Sequence, residues 1–192
     1  MGDEKKLIKI ILLGDSSVGK TTIFQRFIDN HLEKNSFATV GVEFKLKNYN
    51  YHNKNYSIQV FDTAGQERFR SITQAYYKMG QGFFIIFDIS NEDSLKSVPY
   101  WIDSIYDKVI ENNNIIILGN KSDLQVQIAD NVIKQTLEKY KKIKFIKTSA
   151  LNNKNINKAF EEMIDLCDQG NTMENNKKLN EIIKKDNKFS CC

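Results

Sequence analysis

Eight residues constrain this chain more than any others: Gly14-Asp15-Ser16-Ser17-Val18-Gly19-Lys20-Thr21. They follow an apolar run, Ile8–Leu13, and lead into residues with helical spacing, Lys20–Asp29. The glycines let the backbone curl until successive N–H groups face one point, and the helix that follows aims its positive end there. G-x-x-x-x-G-K-[ST] between a strand and a helix is the arrangement that cradles a polyphosphate. Ser16, Ser17, Val18, Gly19, Lys20, Thr21 and Thr22 are therefore candidate phosphate-binding residues. Lys20 would reach the β- and γ-phosphates, and the Thr21 hydroxyl would bind Mg²⁺.

The rest of the chain fits a fold that can carry such a loop. Ile8–Leu13, Phe83–Asp88 and Ile115–Asn120 are almost continuously apolar, as in strands covered on both faces of a parallel sheet. Lys144–Lys147 is a shorter strand candidate, and Val42–Asn50 and Tyr56–Phe61 form an antiparallel pair around a His52–Asn55 turn. Helical spacing covers Lys20–Asp29, Glu92–Asn112, Asp130–Tyr140 and Asn155–Cys167. This alternation predicts a mostly parallel α/β sheet sandwiched by helices. At 192 residues and 41% hydrophobic composition there is enough chain for one domain with a core. Residues 1–168 are assigned to it, and 169–192, rich in Asn and Lys, to a flexible tail. A net charge of +4 argues against nucleic acid as a partner. Neither a secretory signal nor an apolar run long enough for a transmembrane helix is visible.

Two further motifs follow in order. The second hairpin strand ends at Asp62-Thr63-Ala64-Gly65-Gln66, where a carboxylate beside the loop can anchor a phosphate-bound Mg²⁺. Gly65 lets a main-chain N–H approach the γ-phosphate, and the neutral Gln66 amide can orient an attacking water. Asn120-Lys121-Ser122-Asp123 closes the Ile115–Asn120 strand. The Asp123 carboxylate can accept from guanine N1–H and its exocyclic amine, while adenine would leave it unpaired. The Lys121 stem can lie along the base plane. Thr148-Ser149-Ala150 follows the last strand and could offer the Ala150 N–H to the guanine carbonyl.

These four segments, in this order, resemble the Ras superfamily of small GTPases. Val40-Gly41-Val42-Glu43-Phe44, Arg68-Phe69-Arg70-Ser71-Ile72-Thr73, Tyr76-Tyr77 and the Cys191-Cys192 terminus resemble the Rab family within it. The resemblance implies a three-layer P-loop NTPase fold: a mostly parallel six-stranded sheet with one antiparallel strand and helices on both faces. It also implies a GTP- and GDP-binding, GTP-hydrolysing switch in vesicle trafficking, with Gln66, Lys20 and Gly65 catalytic. Thr21, Thr39 and Asp62 would hold Mg²⁺, Thr39 only when GTP is bound. The nucleotide would also be held by Thr39, Gly65, Asn120, Lys121, Asp123, Ser149 and Ala150. His31–Phe44 and Ala64–Lys78 would be the switches, and Phe44, Phe61 and Tyr76 the aromatic cluster shown to effectors. Further partners implied are an exchange factor, a GTPase-activating protein, a Rab escort protein and a GDP-dissociation inhibitor. The protein would be a monomer. Three positions depart from the family: Phe61 stands where Trp is usual, Leu32 where an aromatic flanks the base, and Leu151 where Lys follows the alanine. Residues alone also leave open a nucleotide-holding scaffold with little turnover, and an ATPase or kinase that Asp123 disfavours.

Only three basic residues are arginine, Arg26, Arg68 and Arg70, and none lies between His31 and Phe44. Fast hydrolysis should therefore need an arginine supplied in trans. Cys191 and Cys192 do not form a C-a-a-X box, yet two prenyl chains there would give stable anchoring to the cytoplasmic face of an intracellular membrane, cycling with the cytosol. Two unmodified thiols are the other reading. Cys167 shares a helical face with Ile156, Phe160, Met163 and Ile164 and should be buried, and Trp101 is assigned to packing.

Overall fold

A computed structural model of the protein describes residues 5–32, 39, 41–66, 70–109, 114–125 and 127–169. Among the described residues six strands form a single sheet: β1 (Lys6–Leu13), β2 (Val42–Tyr51), β3 (Lys54–Thr63), β4 (Gly82–Asp88), β5 (Asn114–Asn120) and β6 (Lys144–Lys147). Their spatial order is β2-β3-β1-β4-β5-β6. Only the β2–β3 pairing is antiparallel; the others are parallel. The helices are α1 (Lys20–Asp29), α2 (Arg70–Ala75), α3 (Glu92–Lys96), α4 (Val98–Tyr106), α5 (Asp130–Leu137) and α6, covering residues 156–169.

Strand alternation divides the core in two. Ile8, Ile10 and Leu12 of β1, with Phe84 and Ile86 of β4 and Ile116 and Leu118 of β5, pack under α1 and α6. The intervening Ile11, Leu13, Phe83, Ile85, Phe87, Ile115 and Ile117 face α3, α4 and α5. Both sides of the central strands are thus covered, which is why their sequences are apolar without alternation. Phe27 of α1 stacks on Phe160 of α6, ring centroids 3.5 Å apart and planes 5° from parallel. Cys167 is buried in the same layer.

Three tyrosines tie the β2–β3 hairpin to α6. Tyr49 donates to Glu161 at 2.8 Å, Tyr51 to Asp165 at 3.1 Å and Tyr56 to Asp168 at 2.8 Å. The carboxylates are spaced four and three residues apart, so they line one helix face. Lys6 and Lys54 also pair with Asp168, at 2.5 and 3.2 Å.

Local structure differs from the sequence expectation in three places. The hairpin turns on His52 and Asn53 alone, both at positive φ (49° and 59°), so both strands are longer than expected. The long helix expected over Glu92–Asn112 breaks at Ser97, because Pro99 has no N–H to continue the ladder. The short helix α2 was not expected at all. The C-terminal ends of β1, β3, β4, β5 and β6 lead directly into Gly14, Ala64, Ile89, Lys121 and Thr148, which brings the sequence motifs to one edge of the sheet.

Candidate functional site

The phosphate loop needs glycine at both ends. A Cβ on Gly14 would lie 2.1 Å from the Ile86 carbonyl oxygen, and one on Gly19 2.3 Å from Asn120 Nδ2. Gly19 also sits at φ 96°, which L side chains rarely adopt. Together with Ser17 at φ 64°, these turns curl residues 14–20 around a cleft of about 330 Å³. Ser16, Ser17, Gly19, Lys20, Thr21, Thr22, Thr39, Gly65, Gln66 and Lys121 all line it. Val18 is buried behind the loop.

Lys20 stands at the centre. Its ammonium donates to the carbonyls of Gly14 (2.9 Å) and Asp15 (2.6 Å). Burial pushes its pKa down to about 8, against the opposing charges of Asp62 and Asp15. A cation held this far from water gains strongly from an arriving anion. A Cβ on Gly65 would lie 2.4 Å from both Lys20 Nζ and the Asp15 carbonyl oxygen, so the Gly65 backbone closes directly over the amine.

Three oxygens meet beside it. Thr21 Oγ1 donates to Asp62 Oδ2 at 2.7 Å and lies 2.9 Å from Thr39 Oγ1, which also reaches Asp62 Oδ2 at 3.2 Å. Asp62 is fully buried, and its Oδ1 has no hydrogen-bond partner among the described residues. Burial raises the pKa of this carboxyl, opposed by Thr21, Lys20 and Thr39. A buried carboxylate with an unpaired oxygen beside two hydroxyls suits a hard divalent cation bound through oxygen.

Asn120 fastens the phosphate loop to the base-reading loops. Its amide donates to the Val18 carbonyl at 3.0 Å, while Oδ1 accepts from the Ala150 N–H at 3.2 Å and from Thr148 Oγ1 at 3.4 Å. Ser149 Oγ donates to Asp123 Oδ1 and accepts from the Asn152 N–H at 3.0 Å. Lys121, at φ 65°, pairs with Asp88 Oδ2 at 2.7 Å. Burial alone would raise the Asp88 pKa, but Lys121 and Ser90 hold it below the usual carboxylate range.

Phe44, Phe61 and Tyr76 form a continuous aromatic row, with centroids 5.5 Å apart in the first pair and 5.9 Å in the second. Phe44 is 57% exposed. Arg68, Cys191 and Cys192 lie outside the described residues.

Sequence reasoning missed two contacts. Arg26 of α1 donates to the Ala150 and Leu151 carbonyls, both at 2.9 Å, and so grips the loop after β6. Trp101 of α4 does more than pack, because its indole N–H donates to Asp15 Oδ1 at 3.0 Å. Neither has a local signature, since the partners are 124 and 86 positions away in the chain.

A phosphate-cradling loop, a buried carboxylate at the end of the neighbouring strand and a carboxylate-bearing base loop on this sheet define a P-loop nucleotide-binding protein of the small G-domain class. Comparison with known proteins narrows the class. The Ras family model matches residues 9–169. The yeast Saccharomyces cerevisiae Ras-related protein SEC4 is 33% identical over 97% of this chain and 91% of its own length. Two Dictyostelium discoideum proteins, Ras-related proteins Rab-1D and Rab-11C, are 41% and 38% identical over 81% and 82% of this chain, covering 76% and 71% of their own lengths. The chain therefore belongs to the Ras family, and within it to the Rab-type small GTPases, which bind GTP and hydrolyse it.

Proposed function

We propose that the protein is a trafficking switch whose G domain, residues 1–168, recruits effectors when GTP is bound, and whose residues 169–192 carry a membrane anchor at Cys191 and Cys192. The observation that carries the reading is the convergence of Lys20, Thr21, Thr39 and Gly65 on one cleft, with the buried Asp62 carboxylate hydrogen-bonded to both threonines. Lys20 exchanges its two carbonyl partners for the β- and γ-phosphates. Thr21, Thr39 and Asp62 hold Mg²⁺, which when bound neutralises charge on the phosphates. Gln66 orients the attacking water, and the Gly65 N–H senses the γ-phosphate. Asp123, steadied by Ser149, selects guanine, while Lys121, Asn120 and Ala150 frame the base.

Losing the γ-phosphate removes the ligand of Gly65 and, because Thr39 completes the Mg²⁺ coordination only with GTP, releases Thr39 too, and so frees both switches. Phe44, Phe61 and Tyr76 show that change to effectors. A GTPase-activating protein supplies the missing arginine. Unaided small GTPases turn over on the order of 10⁻⁴ to 10⁻³ per second, and that help is worth about 10⁵-fold. An exchange factor, a Rab escort protein and a GDP-dissociation inhibitor complete the cycle between cytosol and the cytoplasmic face of an intracellular membrane. No helix among the described residues is long and apolar enough to cross a membrane. The double-cysteine anchor meets that need.

Identifying the nucleotide that copurifies and timing its turnover tests the reading. Guanine nucleotide is expected, with Gln66→Leu hydrolysing more slowly than the parent without a partner. Adenine nucleotide, or equal rates, would overturn it. Mass spectrometry of protein from its native cell should find prenyl groups on the terminal cysteines; two bare thiols there would remove the anchor.

A further inference from the structure

A line of hydrogen bonds runs through the α4 layer of the core from the second switch segment to the phosphate loop. Tyr77, fully buried just after α2, has its hydroxyl 3.3 Å from Ser104 Oγ on α4. Ser104 Oγ in turn donates to the Trp101 carbonyl at 2.8 Å. A serine hydroxyl has one proton, so Tyr77 must be the donor of the first bond. Trp101, 2% exposed, then donates its indole N–H to Asp15 Oδ1 at 3.0 Å. The Asp15 carbonyl accepts from Lys20 Nζ at 2.6 Å. From Tyr77 through Ser104 and Trp101 to Asp15 each residue donates to the next, and Asp15 then also accepts from Lys20, in the opposite sense.

We infer that Trp101 is a positioning residue that couples the second switch segment to the phosphate loop, so that the placement of Tyr77 sets how firmly Asp15, and the loop backbone it belongs to, is held around bound nucleotide and hence how readily nucleotide leaves. The geometry gives each link a reason. Indole N–H is a donor only, so Trp101 can serve Asp15 but cannot compete with it for the ammonium. Ser104 and Tyr77 are buried, so each hydroxyl is held to its protein partner rather than traded to water. Asp15 is where the line meets the chemistry, because the same carbonyl lies under Gly65. The inference rests on guanine nucleotide occupying the site. Protein that retains no nucleotide at all would speak against that occupancy and not against the coupling.

The test uses the full chain and the fact that Trp101 is its one tryptophan. Tyr77→Phe keeps the ring and removes only the hydroxyl; Asp15→Ala removes the indole's acceptor. With GDP bound and Mg²⁺ present, both variants should shift the Trp101 emission relative to the parent. Each should also speed GDP dissociation, by roughly tenfold, what about 1.4 kcal/mol amounts to. The double variant should dissociate GDP no faster than the worse single variant, because both break one line. Additive rate effects, or a Tyr77→Phe protein with the emission and GDP dissociation rate of the parent, would overturn the coupling. Melting temperature, measured alongside, separates loss of the line from loss of the fold.

Discussion

Replacing Asn120 by aspartate changes one NH₂ into one oxygen, and the structure says what that single change does. The Asn120 amide is 2% exposed and its Nδ2 lies 3.0 Å from the Val18 carbonyl oxygen. In Asn120→Asp the acceptor facing Ala150 N–H and Thr148 survives, but an ionised carboxylate would oppose the Val18 carbonyl. Asn120→Ala is the reference: it strands the Val18 oxygen and the Ala150 N–H, at about 1–3 kcal/mol each, so nucleotide affinity should fall about 100-fold. A buried, unpaired carboxylate adds several kcal/mol more, and the group responds by raising its pKa. Once protonated, it donates to Val18 as the amide did. The sign follows directly: the neutral form is the one the site accepts, so binding is nearest the parent at low pH and declines as pH rises. Between the pKa of the nucleotide-free protein and the higher pKa in the complex, affinity relative to the parent should drop by up to about tenfold per pH unit, and level off above it. Titration calorimetry with GDP from pH 5.5 to 8.5, each variant divided by the parent at the same pH, reads this slope. A ratio independent of pH, or Asn120→Asp matching the parent at pH 8.5, would refute the reasoning.

Phe160→Ala should destabilise the protein by about 3–5 kcal/mol, because the ring is fully buried and its removal also unstacks Phe27; chemical denaturation measures it. Burial would raise the Asp168 pKa, but Lys6, Tyr56 and Lys54 hold it below the usual value, so this carboxylate adds stability that is present above pH 3.8 and lost below it. Asp168→Asn should therefore melt earlier than the parent at pH 7, by roughly 1 kcal/mol for so partly exposed a cluster, and the difference should close in acid.

The parts of the fold visible in the sequence are those made by contiguous residues under one periodic constraint. β4 and β5 are buried on both faces, so Gly82–Asp88 and Asn114–Asn120 carry almost no polar residue until the point where each reaches the site. α2 had no such mark. Arg70–Ala75 is only six residues long, too short for a helical period to show. The two-residue turn at His52–Asn53 was hidden for another reason: neither residue is the glycine that usually announces positive φ. The site divides in the same way. Gly14–Thr21, Asp62–Gln66 and Asn120–Asp123 are continuous and could be read directly. Arg26 on the Ala150 and Leu151 carbonyls, and Lys121 on Asp88, are made by tertiary placement alone. No local spacing encodes them.

The tyrosine rungs between the β2–β3 hairpin and α6 make the hairpin a cantilever. Its fixed end is bolted to the last helix, and its free end carries Gly41 and Val42 on one strand and Asp62 and Thr63 on the other. A beam held this way resists shear along its length, which fixes the register of Phe44 and Phe61, paired across it. That pair is the fixed edge against which the third ring, Tyr76 beyond the hairpin, is set.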